Sequence, residues 1–356
     1  MNKILKLPAN RVWRTYIGGR MLDELSGVQS PADGNFPEDW IASVTRALNV
    51  GRENEKSEGL SAVDIGGKIM LLKDLIEKYP MEVLGTSHYQ KYGVEPTFLI
   101  KFLDSAIRLH VQCHPSIPFA KKYLHANYGK TEGYYILSTR SDVETPYIYM
   151  GFQHPPSMQA LKRAVEEQDI TFLESCFEKI PVKEGDAFYV PGGIPHAIGE
   201  GVFMIEIMEP TDFVVRLEFE KAGYVLPEKA RFMDRGIDFA LSMINTEAIS
   251  RQEIREKYFM EPHVVFQSPS TTEYAIFDET VTSCFRLNKL ETEAEYSFCK
   301  DGFFILIVTA GKGTIEATGE KYAASFGDRY FIPSATDSIK ILPDEKMEFI
   351  IAMPPL

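Results

Sequence analysis

Short apolar runs closed by Gly-Asp or Pro recur along the chain and predict a mainly β protein. Glu132 to Leu137 (EGYYIL) has a counterpart in Asp301 to Leu306 (DGFFIL), and Gly185 to Pro191 (GDAFYVP) has one in Gly327 to Pro333 (GDRYFIP). Aromatic and β-branched residues favour strands, Gly-Asp supplies a turn, and the closing Pro ends ladder donation. Each copy therefore reads as strand, turns, strand, and the duplication predicts two related antiparallel barrels.

The two halves of the pattern lie 52 residues apart in the first copy and 25 in the second. The extra length falls on the stretch from Ser157 to Ile180. There Met158, Leu161, Ala164 and Val165, and then Leu173, Phe177 and Ile180, recur at helical spacing and predict a helical hairpin. A helical connector is expected from Leu226 to Ile244, with Pro227 suited to a first turn, and at SRQEIREKY, where Ser250 and Glu253 form a capping-box pattern. Lys68 to Gly85 reads as a further amphipathic helix ended by Pro80 and Gly85. The expected division is an N-terminal unit over 1–225 with a helical insert near 155–182, a connector over 226–257, and a second barrel over 258–356.

Composition narrows the function classes. A net charge of −13 and a pI near 5.2 disfavour the phosphate-tracking surface that nucleic-acid binding requires, although a few cations converging in one pocket can still hold a small anion. The four cysteines, Cys113, Cys176, Cys284 and Cys299, include no CxxC pair, which argues against a thiolate zinc site or a cystine scaffold. No stretch approaches the roughly 18 apolar residues of a membrane span, and the apolar run in MNKILKLPANRVWR is too short for a signal peptide. The expectation is a cytoplasmic protein with no membrane and no nucleic-acid partner; the oligomeric state is not legible.

The residues able to do chemistry cluster in the first copy. In LHVQCHPS, Gln112 and His114 stand two apart, so both project from one face of a strand. Glu132 opens the next strand-like run and His196 follows the GDAFYVPGGIPH turn, so all four can reach one cavity once the barrel closes. Such a mixed nitrogen and oxygen set suits zinc and is tolerable for other divalent metals. A histidine at a strand edge is most often an ordinary hydrogen-bonded residue. Comparison of the copies argues otherwise here, because the second copy carries Ser338 in place of His196 and Asp301 in place of Glu132. A turn that only has to fold manages without the imidazole.

Arg216 lies on the opposite face from Val215, Leu217 and Phe219, and an inward arginine needs an anion: Asp212, Glu218 or a substrate. Lys130, two residues before Glu132, is an ordinary loop lysine unless it reaches the substrate. His110 shares strand parity with Gln112 and His114 and is expected to steady a ligand from behind or to be an alternative ligand.

These pieces together resemble the class I (cupin-type) mannose-6-phosphate isomerases in their short bacterial form. LHVQCHP is similar to that family's Leu-Ser-x-Gln-x-His-Pro, GKTEGYYIL to its Gly-Lys-[Thr/Pro]-Glu strand, VKEGDAFYVPGGIPHAIG to its Val-Pro-Ala-Gly-x-x-His-Ala loop, and IEIMEPTDFVVR to its Ile-Glu…Ser-Asp…Arg segment. FLIKFLDS, Trp13 to Gly19 and PEDWIAS match more loosely, and the last hundred or so residues match only as a degenerate cupin. The resemblance implies two cupin (double-stranded β-helix, jelly-roll) barrels with helical insertions. It makes Gln112, His114, Glu132 and His196 the ligands of one zinc ion, and gives Lys130, Asp212 and Arg216 substrate handling and proton transfer. The implied reaction interconverts mannose 6-phosphate and fructose 6-phosphate through a cis-enediol, with a sugar phosphate as the small-molecule partner. Three positions depart from the pattern: His110 stands for Ser, Ser116 for Asp or Asn, and Gly192 for Ala. The first of these bears on which sugar is accepted. The competing readings are a metal-binding sugar-phosphate sensor without turnover and an iron or manganese cupin oxygenase.

Overall fold

A computed structural model describes residues 3–356. The protein is mainly β, with four larger antiparallel sheets arranged in two pairs along the chain. The N-terminal pair joins a six-stranded sheet, in the order Ala187–Val190, Glu132–Thr139, Val202–Met208, Leu99–Asp104, Glu38–Ile41 and Arg11–Val12, to a five-stranded one. The latter runs Ile180–Pro181, Tyr147–Met150, His196–Ile198, Gln112–Cys113 and Val215–Arg216. The C-terminal pair has seven and four strands, and the seven-stranded sheet recruits Leu5–Lys6 from the N-terminus as an edge.

Strand alternation decides what each sheet face touches. In Val202–Met208, Phe203, Ile205 and Ile207 pack with Ile305, Ile307, Ile350 and Ala352 of the seven-stranded sheet, whereas Val202 and Met204 pack with Ile148, Met150 and Ile198 of the five-stranded one. In Phe304–Ala310, Phe304, Leu306 and Val308 turn the other way, onto Ile315, Ile339 and Ile341 of the four-stranded sheet. Three apolar layers thus tie four sheets together. The innermost faces of the second pair are filled by side chains, while those of the first pair also carry charge.

The sequence duplication is visible at atomic level. Gly185 and Gly327 adopt φ of 86° and 87°, a left-handed conformation that glycine takes without a Cβ penalty. In each copy the next aspartate accepts the backbone N–H three residues back: Asp186 from Lys183 at 3.0 Å and Asp328 from Ser325 at 2.9 Å. Both turns lead into a strand paired with the first half of its own repeat.

Helices Met158–Glu167 and Ile170–Ser175 occupy the stretch where helical spacing predicts a hairpin, capped by Ser157 and Asp169; Leu161, Val165 and Leu173 pack against Tyr147 and Tyr149. The Ser250/Glu253 capping box starts helix Arg251–Lys257, and Pro227 directly precedes the short helix Glu228–Arg231. The expected helix from Lys68 differs. Lys68–Leu71 is a strand paired with Ala62–Ile65, because Gly66 and Gly67, at φ 63° and 87°, form a two-residue hairpin turn; the helix begins at Leu72 and breaks at Pro80. No helix among the described residues is long and apolar enough to cross a membrane.

Candidate metal centre and active site

The inner face of the six-stranded sheet presents Glu38, Lys101, Glu132, Tyr134 and Glu206, each one of its strand's inward-facing positions. Register sets Lys101 and Tyr134 on either side of Glu206. The facing sheet contributes Gln112, flanked in register by His196 and Arg216. His114 follows the Gln112 strand, and its backbone carbonyl accepts from Gly193 N–H. The parity argument for Gln112 and His114 is therefore realised by a two-residue strand and its exit.

Potential ligand atoms of His114, Glu132 and His196 lie within 4.8 Å of one another, all buried. Glu132 Oε1 is 3.1 Å from His114 Nε2, and Glu132 Oε2 is 3.5 Å from His196 Nε2. The outer ring nitrogens are tied down: His114 Nδ1 is 2.8 Å from Phe213 O and His196 Nδ1 is 2.9 Å from Ile194 O. A carbonyl can only accept, so each Nδ1 carries the proton and each Nε2 turns its lone pair inward. Gln112 Nε2 lies 3.4 Å from His196 Nε2, and a half-turn of the amide offers oxygen at the same place. Two imidazole lone pairs, a carboxylate and an amide facing one point make a donor set that fits a divalent metal. Burial, then the Lys130 ammonium, push the His114 imidazole down to about 3, and burial also lowers His196, so both stay neutral. Burial alone would raise Glu132, but Lys130 and His114 outweigh it and hold the carboxyl well below its usual range. Lys130 Nζ is 3.0 Å from Glu132 Oε1 and 3.2 Å from His114 Nε2.

Asp212 and Arg216 line the same narrow cavity as Gln112 and Lys130, together with Arg14, Lys101, His110 and Glu206. The ion pair considered for Arg216 is not formed. Asp212 is taken by Arg14, and Glu218 by Arg108 at 2.6 Å. Arg216 Nη1 donates to Ala230 O at 2.8 Å, and among the described residues no carboxylate reaches ion-pair distance of it. Burial lowers its guanidinium to about 10, with Asp212 opposing. Beside Arg216 the cavity meets a wider pocket of about 350 Å³, whose lining includes Lys229 and Arg235.

His110 does not serve as a ligand or steady one. Its Nδ1 donates to Glu218 O at 3.0 Å, and its Nε2 accepts from the Thr15 hydroxyl at 2.9 Å, so both nitrogens are spent away from the metal set. Strand parity places it correctly, but the N-terminal segment intervenes. Sequence reasoning also passed over Arg14, Glu38, Lys101 and Glu206. The last carries a buried Oε1 with no hydrogen-bond partner among the described residues, and burial, then Glu132, push its carboxyl up to about 8.

No family profile matches the chain. A mannose-6-phosphate isomerase of Streptococcus mutans is 27% identical over 265 residues, covering 73% of this chain and 76% of the relative. Mannose-6-phosphate isomerase ManA of Bacillus subtilis is 33% identical over 119 residues, 33% of this chain and 36% of that protein. In structure, the chain is similar to the mannose 6-phosphate isomerase from Bacillus subtilis (TM-score 0.75, 20% identity, 98% and 99% of the two chains). It is also similar to a mannose 6-phosphate isomerase bound with zinc and yttrium (TM-score 0.69, 17% identity, 99% and 100%).

Proposed function

We infer that this chain belongs to the class I mannose-6-phosphate isomerase family and interconverts mannose 6-phosphate and fructose 6-phosphate. The observation that carries the reading is a buried His114/Glu132/His196 cluster adjoining, through Gln112 and Lys130, a narrow cavity lined by Asp212 and Arg216. The two sheet pairs are read as two cupin barrels, 1–225 and 258–356, joined by the connector 226–257. The four cysteines are free, which suits a reducing compartment such as the cytoplasm.

Gln112, His114, Glu132 and His196 would hold one zinc ion, which when bound supplies Lewis-acid polarisation of sugar oxygens. The remaining chemistry belongs to the chain. Aldose–ketose exchange needs a base that removes the proton at C2 and returns one at C1, and a cation for the charge that builds on oxygen. Asp212 is the carboxylate held ionised, since Arg14 and Lys130 outweigh the burial that would raise it. Lys130 and the protonated Glu206 would donate to oxygen. Arg216 offers its uncommitted nitrogens to the substrate's anionic group. His114, Lys130, Glu132, His196 and Glu206 are buried, which keeps bulk water from that side of the intermediate.

The test is coupled conversion of mannose 6-phosphate to fructose 6-phosphate by protein stripped of metal and reloaded with zinc, beside His196→Ala. Zinc-dependent turnover that the variant lacks is expected. Tight metal binding with no turnover of any hexose phosphate would instead identify a sensor, and a requirement for oxygen an oxygenase.

A further inference from the structure

Arg14 leaves the short strand Arg11–Val12 and enters the cavity from the N-terminal segment, with its side chain 7% exposed. Its Nε donates to Glu38 Oε2 at 3.0 Å. Nη1 and Nη2 donate to Asp212 Oδ2 and Oδ1 at 3.2 and 3.3 Å, and Nη1 is also 3.3 Å from Asn49 Oδ1. The guanidinium lies 5.0 Å from the centre of the Trp40 ring. Asp212 Oδ2 additionally accepts the Leu48 N–H at 2.9 Å. Both oxygens of Asp212 are thus gripped by a planar fork that is itself fixed on three sides.

We propose that Arg14 is a positioning residue for catalysis: its two-pronged grip sets the orientation of the Asp212 carboxylate that carries the proton between the adjacent sugar carbons. The assignment rests on the isomerase reading above. In the step it serves, the carboxylate takes the C2 proton and the C–H electron pair becomes the C1–C2 π bond. The carbonyl oxygen at C1 gains a proton. The second half reverses this, with the O2 hydroxyl losing its proton and Asp212 delivering one to C1, so nothing is consumed.

Two observations separate this from an ion pair that only holds the fold. A buried pair is a poor source of net stability, since apolar residues of equal volume usually serve as well. In addition, Arg14 diverts Asp212 from Arg216, which lines the same cavity; free of the grip, the carboxylate could swing onto that guanidinium and leave the reacting carbons. The charges facing Asp212 are Arg14, Lys130, Glu38 and Arg216. Burial raises its carboxyl; Arg14 first and Lys130 second lower it, and Glu38 opposes them. Removing Arg14 therefore moves Asp212 upward.

The experiment compares the zinc-loaded wild type, Arg14→Gln and Arg14→Lys in kcat and KM for mannose 6-phosphate across pH, with bound metal and thermal unfolding measured on the same samples. Arg14→Gln is expected to keep its metal and a KM within about threefold, to lose on the order of 100-fold in kcat, as a misplaced catalytic group does, and to shift the acid limb of kcat to higher pH. Arg14→Lys keeps the charge but not the fork, so its limb stays near that of the wild type while kcat falls. A wild-type kcat and limb in Arg14→Gln, or a loss confined to KM, overturns the proposal. If Arg14→Gln does not fold, an undiminished kcat in Arg14→Lys does so instead. A wild type that turns over no hexose phosphate defeats the isomerase reading, and that result needs no variant.

Discussion

Glu206 and Lys101 face each other across two paired strands, with Glu206 Oε2 3.2 Å from Lys101 Nζ and Glu206 Oε1 buried with no hydrogen-bond partner among the described residues. An acceptor left bare in a dry site costs free energy unless a proton or a ligand meets it. Burial, with Glu132 adding to it and Lys101 opposing, raises the carboxyl to about 8, so it is largely protonated at neutral pH and can donate. The unfolded chain loses this proton near pH 4.3, about four units earlier. Between those values the folded state binds the extra proton, so this group's contribution to stability falls as pH rises through the window. Glu206→Gln does not titrate and is expected to flatten that slope in thermal melts of metal-free protein. It also removes any basic limb near pH 8 from kcat/KM.

The imidazoles carry the opposite sign. His114 titrates near 3 in the folded protein against about 6.5 unfolded, so the unfolded state binds the extra proton between those values and stability declines as pH falls through them. Because both imidazoles are pushed below their ordinary range, protons compete weakly for their lone pairs, and metal is expected to be retained to a lower pH than by free imidazoles. His196→Ala should bind metal well below one ion per chain and lose on the order of 1,000-fold in turnover. Metal analysis after gel filtration, alongside the coupled assay, checks both.

How much of this was legible follows from where each residue sits in the chain. Gln112, His114, Glu132 and His196 lie in motifs whose spacing encodes a strand face or a turn, and the Gly-Asp turns of both copies could be matched directly. Lys101 and Glu206 left a usable signal, a single charge inside FLIKFL and VFMIEIM, where only a paired charge survives burial. Arg14 and Glu38 left only a faint one, the loosely matching segments Trp13 to Gly19 and PEDWIAS in which they fall. They reach the cavity because Glu38 opens the strand next to the edge of the six-stranded sheet and Arg14 lies just beyond its edge strand Arg11–Val12, and strand order is not written in local periodicity. The same long-range placement spends His110 on Thr15 and frees Arg216 from Asp212.

Among the described residues Arg216 meets no carboxylate at ion-pair distance, so its replacement should leave stability nearly unchanged while weakening substrate binding. Arg216→Gln is expected to cost about 2 kcal/mol in kcat/KM for a sugar phosphate, the worth of a charge-assisted hydrogen bond, or about 30-fold. The loss should be much smaller with the unphosphorylated sugar. Equal losses on both substrates would place Arg216 at the reacting carbons rather than at the phosphate.

Gly133 couples the two sheet pairs by close approach rather than by backbone freedom. It sits between Glu132 and Tyr134, where a Cβ would stand 2.6 Å from the Phe277 ring. Phe277 is fully buried and packs edge-on against Phe285 at 5.9 Å, so the ring has little room to retreat. Gly133→Ala should therefore destabilise by about 1–3 kcal/mol through overpacking, seen as a lowered Tm. Because the clash lies on the outer face of the strand that carries Glu132, it should also loosen metal binding. Phe277→Leu in the same chain relieves the contact and should recover part of both losses. Recovery of Tm without recovery of metal affinity would show that the apolar seam between the sheet pairs stabilises the fold without setting the ligand geometry.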